Sequence, residues 1–367
     1  MMREQMRGLF QFRLGATVLL ILLLHFNPRA AGSDRFVYLV MSLVERASIN
    51  IDAYYSQTIE LSYKHGHYFI NTNPGLSFLA APSWYVVGRL LGLSPLRGIF
   101  DNERLHFFVA HFVSFATTTA LFTTICSMLL ARLVFTITSD HKRAILASLL
   151  YAFGTPVFFY STRLQQNVVI ASFTCALFTL TFHPEVLGKI FHRFRLIAIG
   201  FLSGLGLFVD LSMLPFLLIL AVPLAMEMKS ARNIILTIVA SLPPVGALML
   251  YQYTAFGNFF LPAQAYLVDL STSVHSVGFL GLQEPDFSQF FGYLFSLKNG
   301  LFIYAPFTLW CLWWLLSCRK KGLAENILNF TSAERWTIMG TFLPIYFTLR
   351  RYLHRSTLDL GLAIFYR

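Results

Sequence analysis

Charged residues are scarce in this chain. Only 12% of its 367 residues are Asp, Glu, Lys or Arg, whereas 56% are hydrophobic and the mean hydropathy is +0.62. Globular domains carry about 25% charged residues, because a chain that folds in water needs a polar surface. This chain has too little charge to build one, which argues against a soluble fold. We therefore expect an integral membrane protein, with the lipid bilayer as its surrounding medium and as one of its partners.

Other features are also missing, and each absence excludes a class of function. The four cysteines lie in or beside apolar runs, so neither a disulfide framework nor a cysteine metal site is predicted. No glycine-rich nucleotide loop is present, because Gly204 and Gly206 lie inside an apolar run where small residues permit helix contact. The net charge of +11 is divided among short clusters, so we expect no nucleic-acid partner.

Basic clusters alternate with hydrophobic runs along the chain, as the positive-inside rule describes. With the N-terminus in the cytoplasm, every cluster falls on the cytoplasmic side of the membrane. We predict an all-α integral membrane protein with about nine transmembrane helices and an uncleaved first span. The predicted spans are residues 14–26, 106–131, 144–160, 165–182, 196–209, 211–226, 233–251, 299–317 and 336–349.

Two long segments remain on the extracytoplasmic side in this topology, and long loops are uncommon unless they have a function. The first is expected to bear an interfacial helix over residues 36–44 and an interfacial or re-entrant helix over residues 74–91, the latter interrupted at Pro82. The predicted regions are 1–26 (cytoplasmic segment and first span), 27–105 (first outer loop with the candidate active site), 106–251 (helical bundle), 252–298 (second outer loop) and 299–367 (a shortened C-terminal region).

Asp34 is the first acidic residue after the first predicted span. Only eight residues separate it from the end of that span, so it should stay near the outer membrane surface. A carboxylate in partly desolvated surroundings is suited to accept a proton from a hydroxyl group. The alternative is a solvated interfacial carboxylate that pairs with Arg35.

Two further polar positions have both a functional and a structural interpretation. His65 and His67 flank Gly66 and can bind one metal ion only if the chain turns there. Hydrogen-bonding roles are therefore favoured, and no metal ligands are predicted. Asp210 lies between two predicted spans, where an acid is a functional candidate. It is equally well explained as the cap of a tight helical hairpin.

Several short motifs occur in an order that is typical of a known enzyme family. In the first loop they are Ser33-Asp34-Arg35, Asn50-Ile51-Asp52, Thr58-Ile59-Glu60, Gly66-His67-Tyr68, Asn71 and Pro74-Gly75. Later fragments are Gly154-Thr155-Pro156, Tyr160-Ser161-Thr162, Ala255-Phe256-Gly257-Asn258, Asn299-Gly300-Leu301-Phe302 and Tyr304-Ala305-Pro306. Together they resemble bacterial GT-C-type membrane glycosyltransferases, in the branch related to protein O-mannosyltransferases and aminoarabinose transferases.

The resemblance implies a transferase in the plasma (inner) membrane of a prokaryote. Its donor would be a sugar on a polyprenyl phosphate, and its acceptor would be a glycan, a lipid or a protein at the outer leaflet. Asp34 occupies the place of the family's catalytic acid, and Glu60 supplies a second one. No cofactor is fixed by the resemblance, and a divalent cation, which some relatives use, stays open. The remaining residues expected to bind substrate are Arg35, Asp52, Lys64, His67, Tyr68, Asn71, Arg97 and Asn167.

The chain departs from the family pattern at three places. Thr72 stands where relatives often carry a lysine that suits a phosphate, and Asn167 stands where a histidine is common. The sequence also ends at Arg367, before the outer Trp- and Gly-rich segment of longer relatives. A catalytically inactive or truncated protein of the same fold is therefore the alternative hypothesis. A polytopic transporter is a further alternative, which the concentration of ionisable groups in the outer loop disfavours.

Overall fold

Helices dominate the structure, a computed structural model, as the sequence predicts. It describes residues 2–28, 33–58, 61–90, 103–188, 193–228, 230–268, 291–292, 294–297, 300–304, 306 and 308–309. The helices are α1 (Met2–Leu24), α2 (Asp34–Glu45), α3 (Gly75–Leu90), α4 (Glu103–Thr138), α5 (His141–Phe153), α6 (Val157–Ser161), α7 (Gln166–Phe182), α8 (Arg195–Val209), α9 (Leu214–Glu227), α10 (Ala231–Phe256) and α11 (Leu301–Tyr304). The strands are β1 (Leu61–Lys64) and β2 (His67–Ile70).

The chain forms two compact units. The first contains Met1–Leu211 and Ala231–Gln283, and the second contains Ser212–Ser230 and Glu284–Arg367. The hairpin and the helices α1 to α8 and α10 belong to the first unit, whereas α9 and α11 belong to the second. Every candidate site residue that the structure describes lies in the first unit.

Two of the described helices, α4 and α10, are long and apolar enough to cross a membrane. Nine transmembrane helices are therefore not confirmed. At four other predicted spans the apolar helical stretches are shorter than the about 20 residues that a straight crossing needs. They are Gln11–Leu24, Gln166–Phe182, Arg195–Val209 and Leu211–Met226. The span predicted at 336–349 and most of the one at 299–317 lie outside the described residues.

The span predicted at 144–160 is two helices in the structure, α5 and α6, which are separated at Gly154 and Thr155. The break has a local cause in Pro156. A proline has no backbone N–H to donate, and its ring disfavours the helical conformation of the residue before it. The sequence motif Gly154-Thr155-Pro156 therefore ends one helix and begins the next.

Helices α8 and α10 approach each other along glycines. A Cβ atom at Gly200 would overlap the carbonyl oxygen of Thr237, and one at Gly204 would overlap the carbonyl oxygen of Ser241. Only a residue without a side chain permits this separation of the two backbones. The prediction that Gly204 permits helix contact is thus confirmed.

The two helices predicted in the first outer loop are present as α2 and α3, and their first turns are adjacent. The hydroxyl of Ser77 in α3 donates a hydrogen bond of 2.9 Å to the carbonyl of Phe36 in α2. The predicted interruption at Pro82 was wrong, because α3 continues through it. A proline removes one backbone hydrogen bond, and Leu76 and Trp84, which are buried on either side of it, keep the helix packed.

The hairpin β1–β2 was not predicted. Leu61 pairs with Ile70 and Lys64 pairs with His67 in an antiparallel register. The turn residues His65 and Gly66 both have positive φ angles, 52° and 86°. Positive φ at both central residues is the conformation of tight two-residue hairpin turns, and it favours glycine at the second position.

Residues of the segment predicted as the second outer loop extend the hairpin. The Val268 N–H donates a 3.2 Å hydrogen bond to the carbonyl of Leu61, and the Ser62 hydroxyl donates a 2.6 Å bond to the carbonyl of Ala263. Beneath this junction Phe69 packs in a buried cluster with residues of α10 and with Ala263. The two segments that the sequence assigns to outer loops are thus in direct contact.

Gly204→Ala is expected to destabilise the protein, because the added methyl group would force α8 away from the Ser241 carbonyl. Overpacking of this kind costs about 1–3 kcal/mol of unfolding free energy. Denaturant unfolding in detergent micelles measures the loss. Gly246→Ala is the matched control, because Gly246 lies in α10 with no atom within 4 Å of its Cβ position. It should be neutral or stabilising, and equal losses for both variants would contradict the proposed packing.

Candidate functional site

Asp34 is the first residue of α2, and its side chain is partly buried. Burial raises the pKa of Asp34 to about 6, and the positive charge of Arg35 offsets part of the rise. Arg35 is itself buried, with its guanidinium carbon 4.9 Å from the centre of the Phe36 ring. The carboxyl group therefore lies in the partly desolvated surroundings expected from the sequence. An acid with a pKa near neutrality can exchange a proton at the pH of a cell.

The first turns of three helices meet around the segment 71–75. The Ser77 hydroxyl joins α3 to α2, and the Thr72 hydroxyl donates a 3.1 Å hydrogen bond to Oε1 of Gln166, the first residue of α7. The first N–H groups of a helix have no partner within the helix, and the helix dipole adds a partial positive charge there. This region is therefore suited to a negatively charged group.

A buried hydrogen-bonded chain connects Thr72, Gln166 and Asp210. The Thr72 hydroxyl donates to Gln166, and Nε2 of Gln166 donates to a carboxylate oxygen of Asp210. All three side chains are less than a tenth exposed. The backbone N–H of Asp210 donates to the Gly206 carbonyl in the last turn of α8. Asp210 thus caps the end of α8 and holds the start of α7 through its side chain, which is a structural role.

Gly75 permits the segment to lie against the end of α8. A Cβ atom at this position would lie 2.5 Å from the backbone carbonyl of Phe208. Next to it, the side-chain amide of Asn73 donates a 2.8 Å hydrogen bond to the Leu207 carbonyl. The motif Asn73-Pro74-Gly75 therefore packs closely against the end of α8. Any residue larger than glycine at position 75 would force this segment away from α8.

Asp52, His67 and Tyr68 lie together at the hairpin. Asp52 Oδ2 is 2.6 Å from His67 Nδ1, and Asp52 Oδ1 accepts a 2.6 Å hydrogen bond from the Tyr68 N–H. A carboxylate can only accept, so Nδ1 carries the proton and Nε2 remains as an acceptor in the neutral imidazole. The side chains of His67 and Asp52 are 53% and 37% exposed, so the pair is open to solvent.

The other predicted site residues are distributed differently. Lys64 lies with its ammonium group 5.1 Å from the centre of the Tyr266 ring. The side-chain oxygens of Asn71 and Asn167 are buried without a hydrogen-bond partner among the described residues. The Thr72–Gln166 bond brings the chain segments of these two residues together. Glu60 and Arg97 lie outside the described residues.

No family model, curated protein or solved structure matches this chain. The resemblance to GT-C glycosyltransferases therefore depends on the motifs alone. Within the described part of the chain, no group of three or more His, Cys, Asp or Glu side chains is placed to hold a metal ion. The candidate residues with a distinctive geometry are Asp34, with its raised pKa, and the Asp52–His67 pair.

One polar group was missed by the reasoning from sequence. Glu45 Oε1, at the end of α2, accepts hydrogen bonds from Trp84 Nε1 at 3.0 Å and from His106 Nε2 at 2.8 Å. These bonds connect α2, α3 and α4 on the side away from Asp34. A buried tryptophan requires an acceptor for its N–H. That requirement could have predicted a polar partner for Trp84.

Gln166→Leu is expected to destabilise the protein, because it removes the amide that joins Thr72 to Asp210 in buried surroundings. A buried polar group that loses its partner costs about 1–3 kcal/mol, and a charged one costs more. Gln57→Leu is the control, since Gln57 is exposed at the end of a short 3-10 helix. Denaturant unfolding of both variants measures the difference, and equal stabilities would contradict the structural role of the chain.

Asp34→Asn is expected to raise the melting temperature, and to raise it more at pH 8 than at pH 5. The pKa of Asp34 in the folded protein, about 6, lies above the ordinary value of 3.8. Ionisation therefore destabilises the folded state progressively as the pH rises between these values, and the cost is complete above them. Asparagine cannot ionise and avoids this cost. Thermal unfolding in micelles at both pH values measures the effect.

Asp140→Asn is the control for this experiment. Asp140 accepts hydrogen bonds from the N–H groups of Lys142 and Arg143 at the start of α5, and asparagine retains that capping ability. Its melting temperature should not increase. A gain for Asp34→Asn that is larger at pH 5 than at pH 8 would contradict the raised pKa.

Proposed function

We propose that this protein is an integral membrane glycosyltransferase that uses a polyprenyl-phosphate sugar and a hydroxyl acceptor at the extracytoplasmic face. The observation that carries the proposal is Asp34, a partly buried carboxyl with a pKa of about 6 in the first turn of α2, which is hydrogen-bonded to the first turn of α3 through Ser77 and Phe36. Such a carboxyl is suited to act as a general base. The adjacent helix starts are suited to the phosphate of the donor.

The surface of α10 supports a membrane location. Only 17% of its most apolar stretch is buried inside the protein. In water the exposed side would be a large apolar patch, whereas in a bilayer it is the surface that contacts lipid. We propose nine spans, a cytoplasmic N-terminus and the plasma (inner) membrane of a prokaryote, on the basic clusters and the family resemblance. The exposed residues of α10 include Ile234, Ile235, Ile238, Val239, Leu242 and Leu250.

In the proposed reaction Asp34 takes the proton of the acceptor hydroxyl. The acceptor oxygen attacks the anomeric carbon of the donor sugar, and the bond from that carbon to the lipid phosphate breaks. The bonding electrons leave with the phosphate, whose negative charge is stabilised by the helix starts. At neutral pH the protonated Asp34 returns its proton to water, because its pKa lies below 7. The helix starts supply the positive potential that a lysine supplies in relatives.

A catalytically silent protein of the same fold is the second candidate, and Thr72 is the observation that favours it. Its hydroxyl is bonded within the protein to Gln166, so this position serves the fold. The lysine that relatives carry there would bring a positive charge to the donor phosphate. In a silent protein the segment 71–75 keeps the helices together, and no donor is bound.

Asp34→Asn is expected to lower the rate of lipid-phosphate release at least 100-fold, since a general base contributes about 10²–10⁴-fold. The assay uses the full chain in lipid nanodiscs with a set of polyprenyl-phosphate hexoses and pentoses. For the unaltered protein the rate should rise about tenfold per pH unit below pH 6 and level off above it, because only the ionised carboxyl is a base.

Asp140→Asn should leave the rate unchanged, because Asp140 caps α5 and takes no part in the proposed site. Equal rates for Asp34→Asn and the unaltered protein would remove Asp34 from the mechanism. Release of no lipid phosphate from any donor by the unaltered protein would favour the silent alternative.

A further inference from the structure

Three tyrosine rings form a continuous aromatic surface on the hairpin. Tyr63 and Tyr68 are paired across β1 and β2, with ring centres 4.9 Å apart. Tyr55 stacks on Tyr68, with ring centres 4.7 Å apart and an angle of 9° between the planes. Tyr55 and Tyr63 are 48% and 46% exposed. Together Tyr55, Tyr63 and Tyr68 form the tyrosine platform.

Hydrogen-bonding groups adjoin the platform. Asp52 accepts from the backbone N–H of Tyr68 and contacts His67, so the exposed Asp52–His67 pair lies beside strand β2, which carries the central ring of the platform. Asp52 offers its carboxylate oxygens as acceptors, and His67 offers Nε2, which accepts in the neutral ring and donates in the protonated one. Lys64 is the lysine of the hairpin, and it lies over the ring of Tyr266, which is not part of the platform. The surface therefore combines aromatic faces with acceptors.

The platform is linked to the helix that carries Asp34. Tyr54, the neighbour of Tyr55, stacks on Tyr38 with ring centres 5.0 Å apart. Tyr38 lies one helical turn after Asp34, whose negative charge contributes, after burial, to raising the pKa of Tyr38 to about 12. A ligand on the platform and a proton acceptor at Asp34 thus belong to one packed region of the first unit.

We propose that the tyrosine platform and the Asp52–His67 pair bind a pyranose ring of a neutral glycan. This inference rests on the proposed function and names its acceptor as a carbohydrate. A pyranose presents a face of C–H bonds, which packs on an aromatic ring, and an edge of hydroxyl groups, which donate to a carboxylate and an imidazole. An anionic ligand fits less well, because Asp52 is negative and Lys64 is engaged elsewhere.

The competing occupant is the membrane itself, because tyrosines are enriched at the level of the lipid headgroups. Two observations favour the glycan. Tyr55 stacks on Tyr68 and Tyr63 is tilted against it, so the three rings hold one another in place, whereas headgroup contact needs only that each ring lie in the interface. The carboxylate beside them would also repel the anionic phosphates of a lipid surface.

Isothermal titration of the full chain in nanodiscs, without donor lipid, tests the proposal. The probes are cellohexaose, maltohexaose, chitohexaose and mannohexaose, which are neutral glycans of different linkage and sugar. At least one should bind, and Tyr55→Ala and Tyr63→Ala should each weaken that binding at least tenfold. Tyr253→Ala is the matched control. Tyr253 lies in α10, is 50% exposed and stacks on Phe259 with ring centres 4.4 Å apart. Its affinity should be unchanged.

Failure of all four glycans to bind would overturn the proposal, as would equal binding by Tyr55→Ala and Tyr253→Ala. A nitroxide on Tyr63→Cys, in a chain with its four cysteines replaced, distinguishes the membrane occupant. Faster collision with dissolved oxygen than with a water-soluble nickel chelate would place the platform in lipid and refute glycan binding. Glycan binding without release of lipid phosphate would count against the transferase and leave the platform supported.

Discussion

Segment 71–75 is buried where α7 begins and α8 ends, and the side chains of Thr72 and Asn73 find hydrogen-bond partners there. Thr72 bonds to Gln166, which bonds to Asp210, and Asn73 bonds to the end of α8. An unpaired polar group in such surroundings costs about 1–3 kcal/mol. The segment follows β2 and precedes α3, so these contacts hold the hairpin and α3 on the same pair of helices. Through Ser77 they also hold the start of α2 and with it Asp34.

This arrangement explains how a destabilising carboxyl can persist. Burial of Asp34 disfavours its ionised form, and the charge of Arg35 compensates only in part. The unfavourable free energy of this ionisation is offset by the packing of the same helix. Its residues Phe36, Val37, Leu39 and Val40 are fully buried. A group whose pKa is shifted towards neutrality by burial is more common at functional sites than elsewhere. The same rigid surroundings that impose the shift would also orient the carboxyl toward a substrate.

Local patterns predicted what depends on local sequence. Helices α2 and α3 were predicted within a few residues of their observed bounds, because an apolar run with a clear start specifies a helix. The hairpin was missed although Gly66 lies at a two-residue turn between alternating segments, which is a recognisable signal. Nine spans are not confirmed by the described helices, because an apolar run indicates burial or lipid contact but not the length of a continuous helix. The Thr72–Gln166–Asp210 chain joins residues 94 and 44 positions apart, and no local pattern encodes it.

The contact between the two segments that were predicted as outer loops constrains any membrane topology. Ser62 and Ala263 are hydrogen-bonded, so the segments 27–105 and 252–298 must lie on the same side of a bilayer. A chain that leaves one side and returns to it crosses an even number of times. Six spans were predicted between these segments, from 106–131 to 233–251, and six is even. If one of the short helices between them does not cross, a second must also fail to cross. An odd number of crossings would place Ser62 and Ala263 on opposite sides of the bilayer, where they could not be hydrogen-bonded.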